Sequence, residues 1–170
     1  MTGQALPICL VTGPSESGKT TLIEGLVREL ARRGIPVATV KHHRGRVPVD
    51  RPGKDTWRHR RAGAKATFFV TEDEIVLFSD RPPRIGPADL VPLCPAGVRL
   101  LLVEGFKDLR GHPRIEVVRR PFPREIEWDP EVLCVATDVP DYRAPVPVYS
   151  LDDVAGMADL LVSRLLSSAT

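Results

Sequence analysis

The sequence predicts a single α/β domain, with a mostly parallel central sheet flanked by helices. Three observations carry that reading. Short apolar runs alternate with helical spacing, no internal repeat or domain-length linker interrupts them, and 170 residues is an ordinary length for one domain. The 42% hydrophobic content furnishes a substantial core, and 27% charged residues argue against wholesale disorder.

Leu6–Thr12 is a short apolar run with Pro7 near its start, read as a buried strand. Lys19–Arg33 changes to helical spacing, with Leu22, Leu26 and Leu30 on one face and Ile23 and Val27 beside it. Gly34 ends that helix, because a residue without a side chain takes the left-handed conformation freely. Ile35–Val40 restarts as a strand, completing the strand–helix–strand unit of a parallel sheet. Lys41–Lys54 is basic and broken by Gly45, Pro48, Pro52 and Gly53, which marks a loop on the active face. Asp55 is placed to cap a short helix ending near Gly63. Ala66–Val70 and Glu74–Phe78 then read as strands around a Thr71–Asp73 turn, a candidate hairpin. Five prolines between Arg81 and Pro95 predict a pinned surface loop with at most one helical turn. Val98–Val103, Ile115–Val118 and Val132–Ala136 supply the remaining strands. Asp152 or Asp153 caps a last helix that carries Met157, Leu160, Leu161 and Leu165 on its apolar side.

Net charge is only +2 but unevenly spread. Lys41–Lys65 holds nine Lys/Arg against two Asp, whereas from Phe122 onward nine Asp/Glu face three Lys/Arg. The basic segment either attracts phosphates or is a solvated loop; the acidic part either keeps the surface soluble or meets a basic partner. Nothing in the sequence points to nucleic acid as a partner, since aromatic residues are few and no zinc-finger or RNA-binding signature is present. No run of apolar residues is long enough to span a membrane, and no secretory leader pattern opens the chain, so a cytoplasmic address is expected. Cys9, Cys94 and Cys134 are too scattered for a disulfide scaffold or a short-spaced metal motif.

The strongest local signal is Gly13-Pro14-Ser15-Glu16-Ser17-Gly18-Lys19-Thr20, a full GxxxxGKT match continued by Thr21. An apolar strand enters it and an amphipathic helix leaves it, the setting in which backbone N–H groups and a helix N-terminus cradle phosphates. Lys19 is the expected phosphate contact, and Thr20 offers a hydroxyl to a phosphate-bound Mg²⁺. The competing reading is a loop retained for its turn alone. Glu16 would repel a phosphate if it pointed inward, so it is expected to face solvent or a basic group. Glu104-Gly105 ends the Val98–Val103 strand, where an acid fits Mg²⁺ binding or water positioning. An ordinary strand-terminal carboxylate fits that position too. Asp50 and Glu104 are the two Mg²⁺ candidates beside Thr20, and Lys107 is a candidate anion contact. His42 is either a substrate contact or an exposed histidine; its neighbours His43 and His59 do not make a zinc site.

Taken together, four ordered segments resemble the MobB-type proteins of molybdopterin-guanine dinucleotide biosynthesis. They are Val11–Leu22, Val40-Lys41-His42-His43 with Asp50–Trp57, Arg61-Ala62-Gly63-Ala64, and Val103-Glu104-Gly105-Phe106-Lys107. The resemblance implies a P-loop protein that binds GTP with Mg²⁺, hydrolyses it weakly, forms a homodimer, and assists the guanylyltransferase that attaches GMP to molybdopterin. It implies catalytic roles for Lys19, Asp50 and Glu104, and a guanine contact for Asp138, although a turn aspartate before Pro140 fits equally. Lys41–Lys54 would then face the nucleotide or the anionic molybdopterin. Two alternatives stay open at this point: a small-molecule P-loop kinase whose basic segment holds the acceptor, and a GTP-dependent adaptor without catalysis.

Overall fold

The longest apolar runs become the inner strands of a sheet, because a strand buried on both faces has no polar side to show. In the computed structural model, which describes residues 5–82, 84–120 and 125–167, the chain forms two compact units. One comprises Met1–His43 with Gly86–Thr170, the other Arg44–Ile85.

The larger unit contains β1 (Ile8–Thr12), α1 (Lys19–Arg32) and β2 (Val37–Lys41). After the smaller unit it continues through β5 (Leu100–Glu104), β6 (Arg114–Val118), β7 (Val132–Thr137), β8 (Val148–Ser150) and α3 (Val154–Leu161). Its six strands run in the order β2-β5-β1-β6-β7-β8, every neighbouring pair parallel. β5 thus inserts between β1 and β2, and Glu104 sits in register with Val11 on one side and Lys41 on the other.

Alternate residues divide between the two faces of this sheet. Cys9, Val11, Leu100, Leu102, Val117 and Ala136 pack under Leu22, Leu26 and Leu30 of α1 and Met157 and Leu161 of α3. On the other face Ile8, Leu10, Leu101 and Val103 form a second cluster with Val91, Cys94, Phe106 and Leu109. Arg33 ties the helical layer together, pairing with Glu29 at 2.7 Å and with Asp159 of α3 at 2.5 Å. Arg114 is one of the few charged residues buried among the described residues, together with Glu104 and Glu116. Only 2% exposed, it pairs with Glu116 at 2.9 Å, Asp129 at 2.8 Å and Glu131 at 3.3 Å, clipping the following loop onto β6.

The smaller unit consists of α2 (Asp55–Arg61) and an antiparallel hairpin, β3 (Ala66–Val70) with β4 (Ile75–Ser79). The Thr71 hydroxyl accepts the N–H groups of Asp73 and Glu74 at 3.3 and 3.0 Å and closes the expected turn. Asp55 is the first residue of α2 rather than its cap; Lys54 holds the cap position and offers no side-chain acceptor.

Three further differences from the sequence reading have physical causes. The Pro-rich stretch holds a 3₁₀ helix over Pro87–Leu93, longer than the single turn expected. Proline's fixed φ suits a helical turn, and Asp89 accepts the Gly86 N–H at 2.8 Å at its start. β8 has no counterpart in the sequence pattern: it is three residues long, exposed along one side, and preceded by Pro145 and Pro147. The last helix ends in a π-type turn over Val162–Leu166, which places Leu166 in the core. Asp153 does cap α3, accepting the Gly156 N–H at 3.0 Å.

Candidate phosphate-loop site

The turn between β1 and α1 is shaped by contacts that forbid larger residues. A side chain at Gly13 would put its first carbon 2.7 Å from the Val117 carbonyl oxygen and 2.9 Å from Ser17 Oγ. Gly18 caps α1 in the left-handed region at φ 89°, leaving the first N–H groups of the helix open to the turn. Ser17 is wholly buried and its hydroxyl has no hydrogen-bond partner among the described residues, while Ser15 and Glu16 are exposed. The outward placement of Glu16 agrees with its expected avoidance of a phosphate, and its φ of 61° shows how tightly the chain turns there. Lys19 Nζ donates to the Pro14 carbonyl, so the ammonium folds back across its own loop.

Two of the three metal candidates come together here. Thr20 Oγ1 donates to Glu104 Oε2 at 2.9 Å, and Glu104 Oε1 takes an ion pair from Lys41 Nζ. Glu104 is only 7% exposed, so its charge is held among these partners rather than in bulk water. Because the Thr20 proton is directed to Glu104, the hydroxyl's lone pairs are left for a cation. A hydroxyl and a carboxylate are the hard oxygen donors Mg²⁺ prefers, and such a site is completed by phosphate oxygens and water. The residues present therefore fit that ion. Among the described residues no group of three or more His, Cys, Asp or Glu is placed to hold a metal by protein ligands alone.

Asp50, the third candidate, belongs to the smaller unit. Its carboxylate accepts from Thr56 Oγ1 at 2.9 Å and pairs with Arg60 at 3.6 Å.

Beyond Glu104 the chain makes a strained turn, with Gly105 at φ 104° and Phe106 at φ 53°. A side chain on Gly105 would press 3.0 Å from the His42 carbonyl oxygen, so close approach as well as φ demands glycine. The His42 ring stacks on Phe106 with centroids 4.0 Å apart, and the His42 N–H donates to the Glu104 carbonyl at 2.8 Å. Lys107 follows, exposed. At the end of β7, Asp138 accepts from Arg119 Nε at 3.2 Å and from the Arg120 N–H at 3.1 Å.

Lys41 and Arg119 are the site residues the sequence reading did not single out. Lys41 has a usable local signal, a basic residue directly after the apolar Ile35–Val40 run. Arg119 carried none, because only the pairing of β6 beside β1 brings it to the loop.

Fold and loop together define the class: a parallel α/β protein of the P-loop type, with the glycine-rich turn leaving the central strand β1. The model of the family described as MobB, molybdopterin guanine dinucleotide synthesis protein B, matches residues 8–138. The chain belongs to the MobB family. It is 33% identical over 172 residues to the molybdopterin-guanine dinucleotide biosynthesis adapter protein of Escherichia coli, covering 92% of each chain. It is 36% identical over 140 residues to the adapter protein of the same name from Haemophilus influenzae, covering 79% of this chain and 76% of that one. Among solved structures, the MobB protein homolog from Bacillus stearothermophilus aligns with a TM-score of 0.65 at 28% identity, over 94% of this chain and 98% of that one.

Proposed function

We propose that this chain is an adapter in molybdopterin-guanine dinucleotide biosynthesis that binds GTP with Mg²⁺ at Gly13–Thr21 and hydrolyses it slowly. The observation that carries the reading is the hydrogen bond between Thr20 of the loop and Glu104 at the end of the neighbouring strand. It joins the expected phosphate cradle to an acid suited to the cation. The relatives' own assignments supply the pathway and the adapter role.

In this reading the backbone N–H groups of the turn and of the first turn of α1 bind the phosphate tail, and Lys19 exchanges its Pro14 carbonyl for a phosphate oxygen. Thr20 and Glu104 hold the Mg²⁺, whose charge offsets that of the phosphates. Glu104 would also orient the attacking water, and Lys41, paired with that carboxylate, holds it in position. Slow turnover suits an adapter, whose nucleotide-dependent shape matters more than its rate.

The partner is the guanylyltransferase that attaches GMP to molybdopterin, with the molybdopterin itself as a second contact. A homodimer is supported by the hairpin: Phe68, Val70 and Ile75 are 64%, 65% and 71% exposed on a sheet of only two strands. Such a sheet is marginal alone, and an apolar surface of this kind is one that a second copy covers.

The test is a Mg²⁺-dependent binding panel with GTP, ATP, GDP and a non-hydrolysable GTP analogue, followed by addition of the guanylyltransferase. Preference for GTP and nucleotide-linked capture of that enzyme are expected. Absence of nucleotide binding, or transfer of a labelled γ-phosphate to a small acceptor instead of release as inorganic phosphate, would contradict the reading.

A further inference from the structure

Sheet order makes the phosphate loop asymmetric. The turn leaves β1, which lies between β5 and β6. On the β5 side stands the acid Glu104, bonded to Thr20. On the β6 side stands Arg119, one residue past the strand. Its Nη1 lies 3.4 Å from where a side chain on Gly18 would begin, so the guanidinium adjoins the residue that caps α1.

A cation beside the positive end of a helix is electrostatically adverse, unless an anion sits between them. Asp138 supplies part of the compensation, accepting from Arg119 Nε at 3.2 Å. That contact also sets the plane of the guanidinium, leaving donors on the Nη side, and Arg recognises phosphate oxygens through such a planar fork. The carboxylate of Asp138 is engaged on both of its oxygens. Its second oxygen accepts the Arg120 N–H at 3.1 Å, so both oxygens serve to hold the end of β6 against the end of β7.

We propose that Arg119 grips the nucleotide's phosphate tail from the β6 side, and that Asp138 is its positioning residue rather than a reader of guanine. This rests on the nucleotide-binding reading above and extends it. The loop then has two flanks with opposite tasks: Thr20 and Glu104 take the cation, and Arg119 takes phosphate charge.

The experiment titrates the full chain and its Arg119→Ala, Asp138→Asn and double variants with Mg²⁺-GTP and Mg²⁺-XTP, using calorimetry. Arg119 is 46% exposed, so its removal leaves the core intact, and thermal melts check this. Arg119→Ala is expected to weaken GTP and XTP by a similar factor, about tenfold or more, as loss of a charge-assisted phosphate contact requires. Asp138→Asn is expected to weaken both nucleotides by a smaller factor and to add little in the Arg119→Ala background. Unchanged affinity in Arg119→Ala would overturn the proposal. So would a switch from GTP to XTP in Asp138→Asn, because an amide in place of a guanine-reading carboxylate favours the xanthine ring. If the unmodified chain bound neither nucleotide, the nucleotide-binding reading itself would fall; binding by that chain together with an indifferent Arg119→Ala variant sinks this inference alone.

Discussion

Glu104→Gln isolates the cation flank of the loop. The substitution keeps the side chain's size but replaces a carboxylate that accepts from Thr20 at 2.9 Å and pairs with Lys41. A hydrogen bond to a charged group contributes about 1.5–3 kcal/mol, a neutral one about 0.5–1.5 kcal/mol. The difference, about 1–1.5 kcal/mol, corresponds to about a tenfold change in an equilibrium constant. That change should appear in the Mg²⁺-linked part of GTP affinity. Without Mg²⁺ the variant should bind GTP no worse than the unmodified chain, since a negative charge near the phosphates has gone. Stability should fall by about 1–1.5 kcal/mol, the loss at the Thr20 hydrogen bond, with little added by Lys41, whose side chain is 61% exposed and returns to water. The assay is GTP titration with and without Mg²⁺, beside urea denaturation. An unaltered ratio of the two affinities would refute the assignment of Glu104 to the cation.

Three other perturbations test neighbouring parts of the account. Gly13→Ala forces a carbon to 2.7 Å from the Val117 carbonyl, which should cost about 1–3 kcal/mol in denaturation and weaken GTP binding; full stability and full binding would contradict the packing described. Arg114→Ala leaves the carboxylate of Glu116 buried without its guanidinium and should cost about 3–5 kcal/mol in the same assay, whereas a loss under about 1 kcal/mol would mean the cluster is solvated. The Glu29 carboxyl is held down from 4.5 to about 2, first by the Arg32 hydrogen bond and then by that of Arg33. Its folded-state pKa is depressed, so the stabilisation is complete above pH 4.5 and disappears as pH falls toward 2. The gap between the unmodified chain and Glu29→Gln should therefore be open at neutral pH and closed in strong acid; a gap independent of pH would contradict this.

Where one local rule dominates, the sequence is legible. The strand into Gly13, the Leu22–Leu26–Leu30 stripe and the GxxxxGKT turn each announce themselves within a few residues, and the structure places them as read. The hairpin is legible for the same reason, since Thr71 makes its turn with its immediate neighbours. What the sequence hides is set by distant parts of the chain. Nothing local says that β5 inserts between β1 and β2, yet that insertion brings Lys41, Glu104 and Thr20 together. β6 begins at Arg114, a charged residue that an apolar pattern excludes but that its carboxylate partners make burial-worthy. β8 is too short, and too close to prolines, to show alternation. Asp138 reads alone as a base contact or as a turn aspartate before Pro140; that its oxygens accept from Arg119 and Arg120 follows from the pairing of β6 with β7, which no local pattern shows.

The most direct measurement is a crystal structure of the chain with Mg²⁺ and a non-hydrolysable GTP analogue. The account predicts the β- and γ-phosphates ringed by N–H groups from Gly13 to Thr20, with the ion on the Thr20 hydroxyl on the Glu104 side of the loop. A nucleotide bound elsewhere, or a turn that stays closed under Lys19 at saturating ligand, would contradict it.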